Sequence, residues 1–463
     1  MSFICKTYRS LFFGTVLTSL IPGLAQAAGF ALIETNASGQ GNAYAGAAAN
    51  TLDASTIFFN PAGLMALEKD HVVLASHLIM PDSSFTNNGS SASPLLGPAP
   101  PAGLGGPLLG EDDDGGFNAF VPNFYWVKTL DESMKFGLGV NTPFGLATKY
   151  NDDWVGRYHG VVSDLKMINI NPSIGYQLND KMSIGGGVDV MLGTVELSSA
   201  IDFGAVCVAS LDAATCTGLG ALPQAADGFV TFDGDNFSSL SLGLNFGLIY
   251  QISEQSKFGV AYRSEVDMEM EGDANFIVPS SASFVMSSGL FLDSGISADL
   301  TLPQSLSFSY SHEADKITYL ADVTWTGWSS FDELRIVYDN TAQPDSVTTE
   351  NWDDTFRYSV GINYQYSDDI ILRTGFAYDE SPIPSPERTT PRLPGNDRTW
   401  LSFGMNYILN KKMSIDVGYS HLFIDDVPIN NEFESSVPTL AATLTGSYEA
   451  AVDILSVQFN WQY

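Results

Sequence analysis

Long apolar runs are missing from this chain beyond its first 27 residues. No later segment offers 18 consecutive apolar positions, so no transmembrane helix is expected, since a helical span takes roughly 20. Basic residues are scarce as well, 20 Lys and Arg against 53 Asp and Glu. That balance excludes nucleic acid as a partner, because phosphate binding needs clustered positive charge. Neither GxSxG nor HExxH occurs, and the five histidines have no nucleophile at a useful spacing, so the sequence does not read as an enzyme. No CxxC is present, and nothing calls for a cofactor or a metal. Of three cysteines, Cys5 lies in the leader, while Cys207 and Cys216 stand nine apart in a Gly/Ala-rich stretch. A disulfide between them and two free thiols are both open readings at this point.

The leader itself has the layout of a secretory signal. Lys6 and Arg9 precede the apolar LFFGTVLTSLI, and Ala25-Gln26-Ala27 supplies an A-x-A cleavage site. Cleavage before Ala28 leaves 18 basic against 53 acidic residues, a charge of −35, on a chain that has left the cytoplasm.

What the chain has in abundance is period-two alternation, which starts near residue 115 and runs to the end. Leu455, Val457, Phe459, Trp461 and Tyr463 alternate with Ser456, Gln458, Asn460 and Gln462. Phe356, Tyr358, Val360, Ile362 and Tyr364 alternate with Arg357, Ser359, Gly361 and Asn363, and residues 240–250 and 401–409 repeat the design. A soluble sandwich would pack the apolar face and show Lys and Glu on the other. Here the second face is Ser, Gly, Asn and Gln, and the apolar face lasts for the 9–11 residues or so that cross a bilayer as a tilted strand. Short polar turns (LDESMKFG, LNDKMSIG, ISEQSKFG, SHEADKITY, YSDDIILRTG, LNKKMSID) alternate with long connections near 82–116, 148–163, 200–236, 273–298, 339–352, 381–396 and 424–445. Short periplasmic turns and long extracellular loops are the asymmetry of an outer-membrane barrel. The expected fold is therefore all-β, a transmembrane antiparallel β-barrel of about 14 strands, closed because an open edge in hydrocarbon leaves backbone groups unpaired. Tyr125, Trp126, Trp325, Trp328, Trp400 and Trp461 fall near strand ends, where an aromatic girdle is expected.

A lumen of that width must be wet or plugged. Residues 28–69 lack alternation, but they carry Phe30, Leu32, Tyr44, Ile57, Phe58, Phe59 and Leu64, too many apolar groups for a disordered tail. The division expected is a signal over 1–27, a plugging hatch over 28–69 and a barrel over 70–463. The third strand, KFGLGVNTPFGLAT, has Pro143 inside it, followed by Phe144 and Gly145. Proline cannot donate to a ladder, so either the wall is kinked or open there, or Pro143 already lies in the loop beyond.

The stretches AGFALIETNASGQGNAYAGAAA, DASTIFFNPAGL, NTPFGLAT, YRSEV, RTGFAYDESPIP and NDRTWLSFGMNY together resemble the long-chain fatty acid transporter family of Gram-negative outer membranes, which includes aromatic-hydrocarbon channels. The resemblance spans essentially the whole mature chain. It implies a monomeric barrel in contact with bilayer and lipopolysaccharide, and passive uptake of long-chain fatty acids or of neutral and aromatic hydrocarbons. Substrate is captured in an extracellular groove, passes to an apolar internal pocket and leaves sideways at a kinked third strand. On this reading Asn60, Pro61 and Ala62 are the hatch motif, with Phe58 and Phe59 beside it, and Pro143, Phe144 and Gly145 form the lateral opening. Arg335, in WSSFDELRI, matches a basic position of the family, and Arg157 is a further candidate for the carboxylate, with Lys166 and Arg263 behind it. One departure is that MLGTVELSS, 191–199, has no basic residue where fatty acid carriers have them. That keeps neutral hydrocarbons open as substrates, and a structural or adhesive barrel is the alternative of another class. The acidic run 111–114 reads as a solvated loop or as a divalent-ion bridge to lipopolysaccharide, and the apolar Pro/Gly-rich 95–110 as a capture segment or a disordered one.

Overall fold

The computed structural model describes residues 29–96 and 106–463, so the expected signal over 1–27 and the middle of the 95–110 segment lie outside the described residues. Fourteen antiparallel strands form a closed ring. In chain order they are His71–Asn87, Ala119–Thr129, Met134–Asn141 continued by Gly145–Lys149, Val162–Asn179 and Met182–Asp202. Four two-part strands follow: Asp227–Asp235 with Ser241–Gln251, Ser256–Arg263 with Val266–Ile277, Ser294–Leu302 with Ser305–Ala314, and Ile317–Thr326 with Glu333–Tyr338. Thr355–Ser367, Ile370–Asp379, Arg398–Asn410, Met413–Ile424 and Thr443–Gln462 complete the wall. The fourteenth strand closes on the first from His71↔Gln462 to Asn87↔Gly446.

The alternation decides which way each side chain points. On the tenth strand Val360 is 57% exposed and its neighbour Ser359 only 3%. The apolar residues thus face outward, toward lipid, and the small polar ones inward. Tight turns join the strands at the end where residue 70 enters, and long connections at the other.

Strand ends differ from expectation in an instructive way. The first strand runs on through Pro81 to Asn87, beyond the expected break near residue 82. Its pairing with the second strand ends at Ile79↔Ala119, so Pro81 sits where the ladder on that side has already stopped. A missing donor is tolerated at such an edge. The girdle assignment also needs correcting. Trp461 is exposed on the outer wall and Trp126 partly so, but Tyr125, Trp328 and Trp400 are fully buried inside the barrel. Ring size alone does not tell the two faces of a strand apart, whereas parity along it does.

If Val360 faces hydrocarbon at the centre of its strand, Val360→Arg should cost about 2–4 kcal/mol. The measurement is the urea midpoint for folding into lipid vesicles, and an unchanged midpoint would contradict the assigned face.

Candidate functional site

The N-terminal segment fills the lumen as two short helices, Ala37–Gln40 and Thr56–Phe59, and a 3-10 turn, Pro61–Ala66. Asn60 holds this last junction. Its backbone is extended, so the helix stops, and its side-chain oxygen accepts from the Ala62 amide at 3.0 Å. Pro61 occupies the first position of the turn, where a missing N–H costs nothing. The Asn60 amide group donates to the Ala48 carbonyl at 2.7 Å and to the wall at the Leu248 carbonyl, 3.1 Å. One side chain therefore ties two parts of the hatch to the barrel.

The wall makes room for this turn by omitting side chains. Gly175, Gly185 and Gly247 stand directly opposite one another on the fourth, fifth and sixth strands. A Cβ on Gly185 would lie 2.3 Å from the Pro61 carbonyl carbon, and one on Gly247 would lie 1.8 Å from Asn60 Oδ1. Across the barrel, paired Gly404 and Gly418 face Gly41 and Gln40, and paired Gly361 and Gly375 face Asn42. Polar inward residues finish the fixation. Gln458 accepts from the Ala37 amide at 2.9 Å and donates to Asp53 at 2.7 Å, and Arg263 donates to the Phe58 carbonyl at 2.9 Å. The glycine belt is a signal that sequence reading passed over: inward parity combined with recurrence on adjacent strands.

Above the NPA turn lies an internal cavity. Phe58, Phe59 and Pro61 of the hatch line it together with Pro143 and Phe144 of the third strand. Asn60 and Ala62 are buried beneath, and Gly145 is engaged by the hatch backbone. The ladder of the third strand stops at Asn141 and resumes at Gly145, leaving 142–144 out of it. Below the break the second and third strands pair from Phe124↔Val140 to Thr129↔Lys135. Above it the resumed segment pairs with the fourth strand alone, until Lys149 donates to the Gly115 carbonyl at 3.2 Å. A window between second and third strands is thereby framed above and below. Its backbone groups are met from inside: the Leu32 amide donates to the Pro143 carbonyl and the Gly145 amide to the Phe30 carbonyl, both at 2.8 Å. Asn123 adds its side-chain oxygen, which accepts from the Thr142 amide at 3.3 Å.

At the extracellular end the loops enclose an apolar groove, lined among others by Leu197, Phe232, Phe291, Ile336 and Tyr338. Leu96 and Leu108, flanking the undescribed part of 95–110, line it too. Beyond Asp202 of this lining follow two short helices, Phe203–Ser210 and Ala213–Leu219, which Asp202 and Asp212 cap and the Cys207–Cys216 bond joins with Cα atoms 5.9 Å apart. Phe203 meets Phe291 of a neighbouring loop at a ring distance of 4.9 Å. Between groove and internal cavity stands an aromatic cluster centred on Phe30, whose ring lies 4.8 Å from Trp328, 5.5 Å from Phe331 and 5.8 Å from Trp352.

The basic residues are placed differently from expectation. Arg335 is exposed and bound to Glu333 and Asp345, at 2.7 and 3.0 Å. Leu334 and Ile336 line the groove, so the alternation turns Arg335, between them, the other way. Arg157 is buried but committed, with Nε 2.9 Å from Asp227 and Nη2 2.8 Å from the Tyr158 hydroxyl. Lys166 pairs with Asp164, and Arg263 with Asp189. Arg357, which the sequence shows only as part of a polar face, borders the internal cavity, stacks on Trp400 at 4.9 Å and lies 4.0 Å from Asp379. In the acidic run, Asp112, Asp113 and Asp114 accept from the amides of Asn87, Asn151 and Gly116, which fastens that loop to the strand ends. No group of three metal-ligating side chains occurs among the described residues.

A family model described as outer membrane protein transport protein (OMPP1/FadL/TodX) matches residues 18–463. A long-chain fatty acid transport protein of Escherichia coli O6:H1 (strain CFT073) is 30% identical over 422 residues, 88% of this chain and 89% of the relative. Among solved structures, a Pseudomonas aeruginosa FadL homologue superposes with a TM-score of 0.82 at 24% identity, covering 94% of this chain and all of that one. The Ralstonia pickettii toluene transporter TbuX superposes at 0.61 with 19% identity, over 90% and 95% of the two chains.

Because the atoms facing Gly185 are backbone, Gly185→Val should expel the hatch while the barrel still forms. Heat-modifiable gel migration should stay normal while outer-membrane permeability to a small polar dye rises. Unchanged permeability would refute the docking role of the glycine belt.

Proposed function

This chain belongs to the OMPP1/FadL/TodX family of outer membrane transport proteins, and on that premise we propose that it takes up long-chain fatty acids passively, from extracellular groove to internal cavity to bilayer. The observation that carries this reading is the coincidence of three features: a break in the third-strand ladder, a cavity behind it where Phe144 and Trp328 stand with Arg263, Asp322, Arg357 and Asp379, and the NPA phenylalanines lining that cavity. Each CH₂ taken from water is worth about 0.8 kcal/mol, so a route that stays apolar suits a long acyl chain better than a wet pore. Lateral exit delivers such a chain to the membrane without full rehydration. Asn60 and Pro61 hold the floor beside the window, Phe58 and Phe59 present apolar surface, and Pro143 keeps the ladder open.

Transport of long-chain fatty acids is named for the Escherichia coli relative and transport of toluene for the Ralstonia structure. The higher identity lies with the fatty acid relative, 30% against 19% for the Ralstonia structure. Uptake of neutral or aromatic hydrocarbons is the second reading, favoured by the outward turn of Arg335 and the absence of basic residues over 191–199. The closed ring needs no second copy to complete its wall, which supports a monomer resting against bilayer and lipopolysaccharide.

Labelled oleate and toluene uptake, compared in cells with and without the protein, decides between the two readings. Oleate uptake should depend on the protein; if only toluene uptake does, the second reading replaces the first. Asn60→Ala should lower oleate uptake several-fold, because its removal leaves buried carbonyls unpaired at the hatch–wall junction. Normal uptake by a folded Asn60→Ala barrel would reduce the motif to a hinge into the first strand.

A further inference from the structure

The loop between the eleventh and twelfth strands, 380–397, sends Arg392 to the wall of the extracellular groove, where its guanidinium is half-buried. Nη1 donates to the Val162 carbonyl at 3.0 Å and the Ser163 hydroxyl at 3.1 Å, and Nη2 to the Ser198 carbonyl at 3.2 Å. All three acceptors are neutral. No ion pair to Arg392 forms among the described residues, although four carboxylates line the same groove. Three of those four are engaged elsewhere. Asp202 accepts from the amides of Ala205 and Gln224, both at 2.9 Å, Asp345 pairs with Arg335 at 3.0 Å, and Glu434 pairs with Arg388 at 3.0 Å. The fourth, Glu432, is exposed. Burial pushes the Arg392 guanidinium down to about 10, opposed by the more distant Glu350. His159, in the same groove, is pushed by burial down to about 4 and stays neutral. The groove thus holds a half-buried positive charge that no carboxylate of the described residues contacts, with Glu350 acting on it only from further away, an arrangement that favours an arriving anion.

One part of the groove lining is apolar. Leu197, Phe232 and Ile336 line the groove and also border a second, almost wholly apolar pocket with Leu165, Val195 and Met270. Leu165 in turn packs in the cluster around Phe30. We propose that Arg392 is the carboxylate anchor of the extracellular groove, holding the head of a long-chain fatty acid while its tail lies along Leu197, Phe232 and Ile336 toward Phe30. The acid is therefore bound tail-inward, and the anchor separates acids from neutral hydrocarbons of the same length. This assignment rests on the fatty acid reading above.

The test is equilibrium binding of labelled oleate and of methyl oleate to the purified full-length protein, wild type against Arg392→Gln and Arg392→Lys. A hydrogen-bonded charge pair of this kind is worth about tenfold or more in affinity. Arg392→Gln should lose that factor for oleate and none for methyl oleate, and Arg392→Lys should keep part of it. Methyl oleate binding also reports that the variant is folded. Equal losses for both ligands would overturn the assignment and leave Arg392 as a structural tie between loop and strands; unchanged oleate binding would overturn it as well. A wild type that binds methyl oleate but not oleate would overturn the fatty acid reading itself, so the two failures are told apart.

Discussion

The structure depends on one steric constraint: a plug of about 40 residues must lie against a closed wall with no clearance for side chains between them. Inward-facing glycines on facing strands meet that constraint. They cost backbone entropy in the unfolded chain and give up packing in the strand, which is why glycine is ordinarily unfavourable there. Here the loss is offset by backbone-to-backbone approach, as where Gly185 meets Pro61 and Gly404 meets Gly41. With side chains removed from the wall at those points, the hatch brings its own hydrogen-bonding groups within reach, and Asn60 and Gln458 become cross-links.

Polarity is then sorted by depth. Where hatch meets wall, the interior is a network of amides, hydroxyls and paired charges such as Arg373 with Asp416. Nearer the window and the loops, the lining changes to phenylalanine, tryptophan, leucine and methionine. A hydrophobic passenger therefore finds apolar surface only in the upper half of the lumen and at the break in the wall. The polar seam below closes the direct path to the periplasm.

Much of this was legible in sequence, for physical reasons. Period-two alternation with Ser, Gly and Asn on one face has few readings other than a lipid-facing barrel, and the alternation of turn lengths gave the strand count and the direction. Pro143 marked the ladder break because its missing donor is a local property. Arg335 and Arg157 were misplaced because a residue's role in the lumen depends on parity and on partners distant in sequence. Arg335 is one position out of phase with the groove, and Arg157 is taken up by Asp227, 70 positions away. Arg392 carried no sequence signal at all, since what distinguishes it is that the carboxylates around it in space bond elsewhere. Trp328 and Trp400 were read as girdle residues from their place near strand ends, which does not tell whether a ring faces the lumen or the lipid.

The bonds from Leu32 to Pro143 and from Gly145 to Phe30 bear on how the protein is built. The third strand obtains there, from the plug, the backbone partners that its neighbour on the wall does not supply. The ring is otherwise closed, from His71 to Asn87 against the last strand, so nothing else in the wall stands ready to replace them. Without the plug the Pro143 carbonyl and the Gly145 amide would lose these partners, so the wall at its break is completed by its contents.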